Sequence, residues 1–260
     1  MSKIKYVILI LIIALGGYLI FFDKGSKGVI VDNSSSISED DDLDVTGEED
    51  ILVEENSAFT NEESDFFIIK YKLSGINEDG ANSDIARFVE GRVSQFKNES
   101  GFENLTEEDK EMLGFNRGMK YTLDFSYDLK ESDYVKSYIL KTAVFTGGAH
   151  GNLELISFNY DKETGKRLGL NNIFTKSASE YLPALSAFGI NYFKEKFPEF
   201  FVLEGLKPEP LNWSVWYTEN DSIVFIFQTY QVVPYAYGTP EMFIKTENLS
   251  KFINEEYFAN

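Results

Sequence analysis

DYVKSYILKTAVFTGGAHGNLELISFNY, residues 133–160, is the stretch on which the fold turns. Apolar and polar side chains alternate from Asp133 to Phe145 and again from Leu153 to Tyr160. A period of two is what a strand needs to bury one face. Between the two runs stands Thr146-Gly147-Gly148-Ala149-His150-Gly151-Asn152. Its glycines supply unusual backbone angles and close backbone approach, so the heptapeptide reads as a loop joining two antiparallel strands. A phosphate cradle would need a helix N-terminus behind the glycines, and here a strand follows.

The flanks extend the pattern. Residues 66–73 (FFIIKYKL) read as a strand, and residues 82–98 place Ile85, Phe88, Val89, Val93 and Phe96 at helical spacing behind Asn82 or Ser83 as cap. Thr106 is positioned to cap a second, short helix. Residues 119–127 alternate as a strand. Asp161 to Lys166 form a hairpin turn in which Gly165 takes positive φ. Ser177 and Glu180 have capping-box spacing and open a helix limited by Pro198, with Leu182, Leu185, Gly189, Tyr192 and Phe193 on one face. Residues 213–217 and 223–230 form a hairpin across Glu219-Asn220-Asp221. Residues 242–245 are a last strand, leading to a short helix capped by Thr246. Helices grouped with antiparallel hairpins predict an α+β fold of antiparallel sheets with flanking helices. An aromatic share of 15% fits pleated surfaces.

The N-terminal quarter differs in kind. Residues 6–22 (YVILILIIALGGYLIFF) carry no charge and follow Lys3 and Lys5. They are long enough to span a bilayer core and read as a signal anchor at 1–22, with the N-terminus cytoplasmic. A cleaved signal peptide is the alternative. Residues 23–64 are rich in Ser, Asp and Glu and read as a disordered acidic linker. A small α/β subdomain at 65–130 and an outer domain at 131–260 complete the expected organisation. The formal net charge is −19, and most of it falls in the linker. That balance excludes a nucleic-acid partner, which needs a basic surface.

Chemistry is sparse. The chain has one histidine and no cysteine, so thiolate and multi-histidine metal sites are excluded and no cofactor is expected. No G-x-S-x-G elbow, phosphate loop or dinucleotide fingerprint is present. Asp40 to Asp44 lacks the Gly and Glu of a calcium loop. A pair of carboxylates could still hydrolyse a glycan, which needs two acidic groups about 5–9.5 Å apart across one cleft. Two stretches are candidates for binding. One is the loop with Thr146, Gly147, Gly148, His150 and Asn152; the other is the aromatic set Tyr230, Tyr235 and Tyr237 around Pro234. Each also has a structural reading: a tight turn in which His150 satisfies a carbonyl, and tyrosines packed over a bulge at a sheet edge. Whether His150 and Tyr235 lie near each other on one exposed surface is the observation that bears most on the choice.

FTGGAHGN, FNYDKETGKRLGLNNIF and FIFQTYQVVPYAYGTPEMFI, in that order, resemble an extracytoplasmic bacterial domain family. It is found in RsiV-type anti-sigma factors and ahead of the catalytic domain of the peptidoglycan deacetylase PdaC. The resemblance covers about residues 145–254. It implies a domain outside the membrane that, in RsiV-type members, binds lysozyme. Two features of those proteins have no counterpart here: only Met1 to Lys5 precede the apolar run, and a deacetylase's metal-binding histidines are missing. The expectation is therefore a non-catalytic, single-pass membrane protein whose outer domain recognises a lysozyme-like hydrolase or a peptidoglycan-type glycan. A carboxylate-dependent glycan hydrolase and a structural subunit of an envelope assembly are the alternatives.

Overall fold

In the computed structural model, which describes residues 59–76 and 79–258, three long strands form a meander at the centre. They are β3 (Tyr121–Glu131), β4 (Val135–Phe145) and β5 (Asn152–Asp161). β1 (Glu62–Glu63) and β2 (Phe67–Lys72) extend the sheet on one side and β6 (Arg167–Leu168) on the other, giving the order β1-β2-β3-β4-β5-β6. A second sheet, β7-β8-β9, consists of Trp216–Glu219, Ser222–Ile226 and Glu241–Lys245. The α+β class holds, with one amendment: β2 pairs with β3 in parallel, Phe67 opposite Tyr121 and Tyr71 opposite Phe125. Parallel neighbours need a long crossover. Here it contains α1 (Asp79–Ser100) and α2 (Glu107–Leu113).

Strand alternation assigns each face. Tyr138, Leu140, Phe158 and Tyr160 join Ile69, Leu123 and Phe125 on the side covered by Ala81, Ile85, Phe88, Val89 and Phe96 of α1. Phe102 and Phe115 close this core at the end of α1, each within 6.2 Å of the other and of Tyr121. From the opposite face, Ile139 and Leu155 pack against Tyr217, Val224 and Ile226 of the second sheet and Val215 just before it. The far side of that sheet, with Trp216, Ile223, Phe225, Met242 and Ile244, packs against Leu182, Leu185 and Phe193 of α4 (Ala178–Lys196). The order of layers is helix, sheet, sheet, helix. β8 lies at the centre of its sheet between the other two layers, and all five of its residues are buried. A short helix α3 (Leu170–Ile173) links β6 to α4.

Several boundaries move. The expected linker extends to residue 64, yet Glu62 and Glu63 pair with Ile69 and Ile68, and Phe59 stacks on Tyr71. The folded unit therefore starts earlier, because that short strand covers the edge of β2. The expected division at 130 and 131 falls inside the β3–β4 hairpin, where Lys130 pairs with Ser137 and Glu131 with Lys136. The two segments share one sheet. α1 begins at Asp79, a turn before Asn82, and Lys245 rather than Thr246 caps the turn that follows β9. The Thr106 and Ser177 capping boxes form as expected. The apolar run at 6–22 lies outside the described residues. Among the described residues no helix is long and apolar enough to cross a membrane.

Candidate functional site

The β4–β5 hairpin closes through the glycine-rich loop. Gly147 and Gly148 adopt φ of 87° and 112°, angles that side-chain-bearing residues resist. Gly151 has ordinary φ, but a Cβ there would stand 2.9 Å from the carbonyl oxygen of Val144. These constraints bring the chain back into register, Asn152 opposite Val144. Thr146 is half-buried, while His150 and Asn152 are exposed.

His150 is held by its neighbours. Its Nδ1–H donates to the Gly151 carbonyl at 2.8 Å, so in the neutral ring Nε2 carries the lone pair. That nitrogen faces the Tyr230 hydroxyl at 3.5 Å. The imidazole stacks on Tyr235, with ring centres 4.3 Å apart and planes 27° from parallel. Tyr230 lies 5.4 Å from Tyr235. The two tyrosines retain 54% and 40% exposure, so the cluster is a surface and not a core. His150 and Tyr235 do meet on one exposed face.

Tyr237 does not join them. It sits two residues along the same 3-10 turn, Tyr235–Tyr237, and packs against Phe197 at 5.1 Å and Phe200 at 6.1 Å. Nor are the tyrosines on a strand edge, since β8 ends at Ile226 and the chain leaves it as a loop. That loop is anchored by Phe227, Val232 and Val233, all fully buried.

Two glutamines that residue patterning did not single out fix its position. The Gln228 amide works as a strand partner for β5: Leu155 N–H donates to Oε1 at 2.9 Å, and Nε2 donates to the Leu155 carbonyl at 2.6 Å. Gln231 Nε2 donates to the carbonyls of Gly205 and Asn212. Between these anchors Tyr230 is forced to φ 67°. It is one of two positive-φ residues other than glycine among those described, and the left-handed region costs such residues about 1–2 kcal/mol. A long polar side chain followed by a turn was the only sequence signal for this arrangement.

Charge is absent from both segments that build the cluster. Residues 142–153 and 222–240 contain no Asp, Glu, Lys or Arg, in a chain where such residues make up 26%. The charges at their borders are engaged elsewhere. Lys141 pairs with Asp128, Glu154 with Arg92 of α1, and Asp221 with Lys245. Glu241 accepts from the Tyr217 hydroxyl. Among the described residues no carboxylate is fully buried, and no group of three metal-ligating side chains converges.

Residues 171–247 match the family model described as protein of unknown function (DUF3298), a match that spans α4, the second sheet and the tyrosine loop. The chain is homologous to the peptidoglycan-N-acetylmuramic acid deacetylase PdaC of Bacillus subtilis (strain 168), 27% identical over 183 residues. The aligned part is 68% of this chain and 37% of that enzyme. Among crystal structures, a DUF3298 family member from Bacteroides fragilis shares 19% identity over 65% of this chain and 69% of its own, at TM-score 0.47. One from Pseudomonas aeruginosa shares 18% over 60% and 72%, at TM-score 0.40.

Proposed function

We propose that the protein is a non-catalytic recognition module of the cell envelope, held at the membrane by residues 6–22 with residues 59–258 on the outer side. Its contact face is the His150–Tyr230–Tyr235 cluster, and its partner is a component of the wall: a peptidoglycan-type glycan or a lysozyme-like hydrolase that cuts one. The observation that carries this is the convergence of two sequence-distant loops into three exposed rings, His150 stacked on Tyr235 and Tyr230 tilted beside them. Aromatic groups left at the surface by a rigid scaffold are favoured contact groups, because they offer large area at little entropic cost. The homologous enzyme's name places its own activity on peptidoglycan, which supports the choice of compartment. The glycan-hydrolase alternative lacks a buried carboxylate pair among the described residues to support it.

The test is sedimentation of the purified full chain with peptidoglycan sacculi, alongside capture on immobilised lysozyme. Retention is expected in at least one arm, and His150→Ala should reduce it about tenfold with a small change in melting temperature. A glycan-cleaving turnover abolished by His150→Ala would instead sink the non-catalytic assignment.

A further inference from the structure

We propose that the His150–Tyr230–Tyr235 face takes a neutral saccharide, a hexose or N-acetylhexosamine ring of a glycan strand. This rests on the assignment of that face as the recognition surface and names the chemistry it selects.

Charge is the first constraint. A cationic protein surface is met by carboxylates, and an anionic ligand by lysine or arginine, because electrostatic complementarity sets specificity at such contacts. Residues 142–153 and 222–240 offer neither, although the chain carries 43 acidic and 24 basic residues. Lys141, Glu154, Asp221 and Glu241, which bound the two segments, each already have a partner. What the surface presents is three uncharged rings, two tyrosine hydroxyls among their polar groups, with the neutral Asn152 exposed on the strand that follows the loop. A pyranose ring matches that set. Its axial C–H bonds form an apolar face that lies against an aromatic ring, and its hydroxyls take neutral donors and acceptors at the edge.

Backbone strain is the second. Tyr230 holds φ 67° within a turn fixed on either side by Gln228 and Gln231. Glycine would occupy this position without cost. Strain of this kind collects at contact sites, where the side chain and not the fold accounts for the residue. The strained residue places its ring 5.4 Å from Tyr235.

The experiment is calorimetric titration of the full chain, in detergent, with three probes: chitotetraose, which is neutral; its fully deacetylated tetramer, with one amine per ring; and egg-white lysozyme. Each is measured at low and high salt against wild type, Tyr235→Ala and Tyr230→Gly. The glycine variant removes a ring while relieving the backbone, so its fold is protected, and a melting curve checks both variants. The expected result is binding of chitotetraose with an affinity that salt leaves unchanged, weakened at least tenfold in both variants. If the amine tetramer or lysozyme binds in its place, weakening with salt and with both variants, the neutral-sugar assignment falls and the recognition face stands. If no probe binds, or neither variant alters what binds, both fall.

Discussion

His150 owes its role to what surrounds it. A single imidazole supplies no ligand set, but with Nδ1–H fixed on the Gly151 carbonyl and its face on Tyr235 it becomes part of a shaped surface. Gly151 is the residue that permits this. Gly151→Ala should lower stability by about 1–3 kcal/mol, since the added methyl meets the Val144 backbone and not a movable side chain. Gly91, inside α1 with open space around it, gives the opposite sign. Gly91→Ala should raise stability by about 0.5–1 kcal/mol through helix propensity. Urea midpoints of the two variants measure both. At this scale the sequence identified His150 and Tyr235 as candidate neighbours, because rare polar rings beside glycine and proline are visible in one dimension. The strain at Tyr230 and the departure of Tyr237 toward Phe197 were not visible. Both depend on how two anchors eighty residues from the hairpin loop orient a turn.

Elements show the same division. The β3–β4–β5 meander was legible because each strand alternates and short connections allow only antiparallel pairing. The Thr106 and Ser177 helix starts were legible because capping chemistry is local. β8 gave the wrong length, since a strand buried on both faces shows no alternation to mark its end. The parallel β2–β3 pair was hidden by a crossover whose helices could equally have led elsewhere. Gln228 belongs at this scale, because its amide completes hydrogen bonding along the margin of β5 that β6 leaves without a strand partner. Gln228→Ala should cost about 1–3 kcal/mol by leaving the Leu155 N–H and C=O unpartnered. Amide exchange at Leu155 should accelerate well beyond that at Phe158. Equal protection at both positions in the variant would show that the side chain is not the partner that matters.

The two sheets act together in their response to alkali. Tyr71, Tyr160 and Tyr217 sit in β2, β5 and β7, and burial is the leading cause that raises the pKa of each. The carboxylates of Glu62, Asp84 and Glu241 beside the respective hydroxyls push in the same direction, and Tyr71 reaches about 12. In the unfolded chain these phenols ionise near 10. The native state then holds more protons, so stability is complete below about pH 10 and falls as pH rises through the folded values. Urea midpoints from pH 8 to 12 should decline from pH 10 onward. Tyr160→Phe should flatten part of that decline, and an unchanged slope in that variant would remove Tyr160 from the cause.

The β4–β5 hairpin is common to two cores, with the phenylalanine-rich one on its α1 face and the second sheet on the other. An occupant gripping the hairpin's tip adds RT ln(1 + [L]/Kd) to the cost of opening whatever must open with it. Occupancy at His150 is then registered as slower exchange of amides in α1, on the face of the sheet opposite the second sheet. If the proposed face takes its partner, that slowing is the expected readout, measured by hydrogen exchange of α1 with and without the partner, and it requires no displacement of any element.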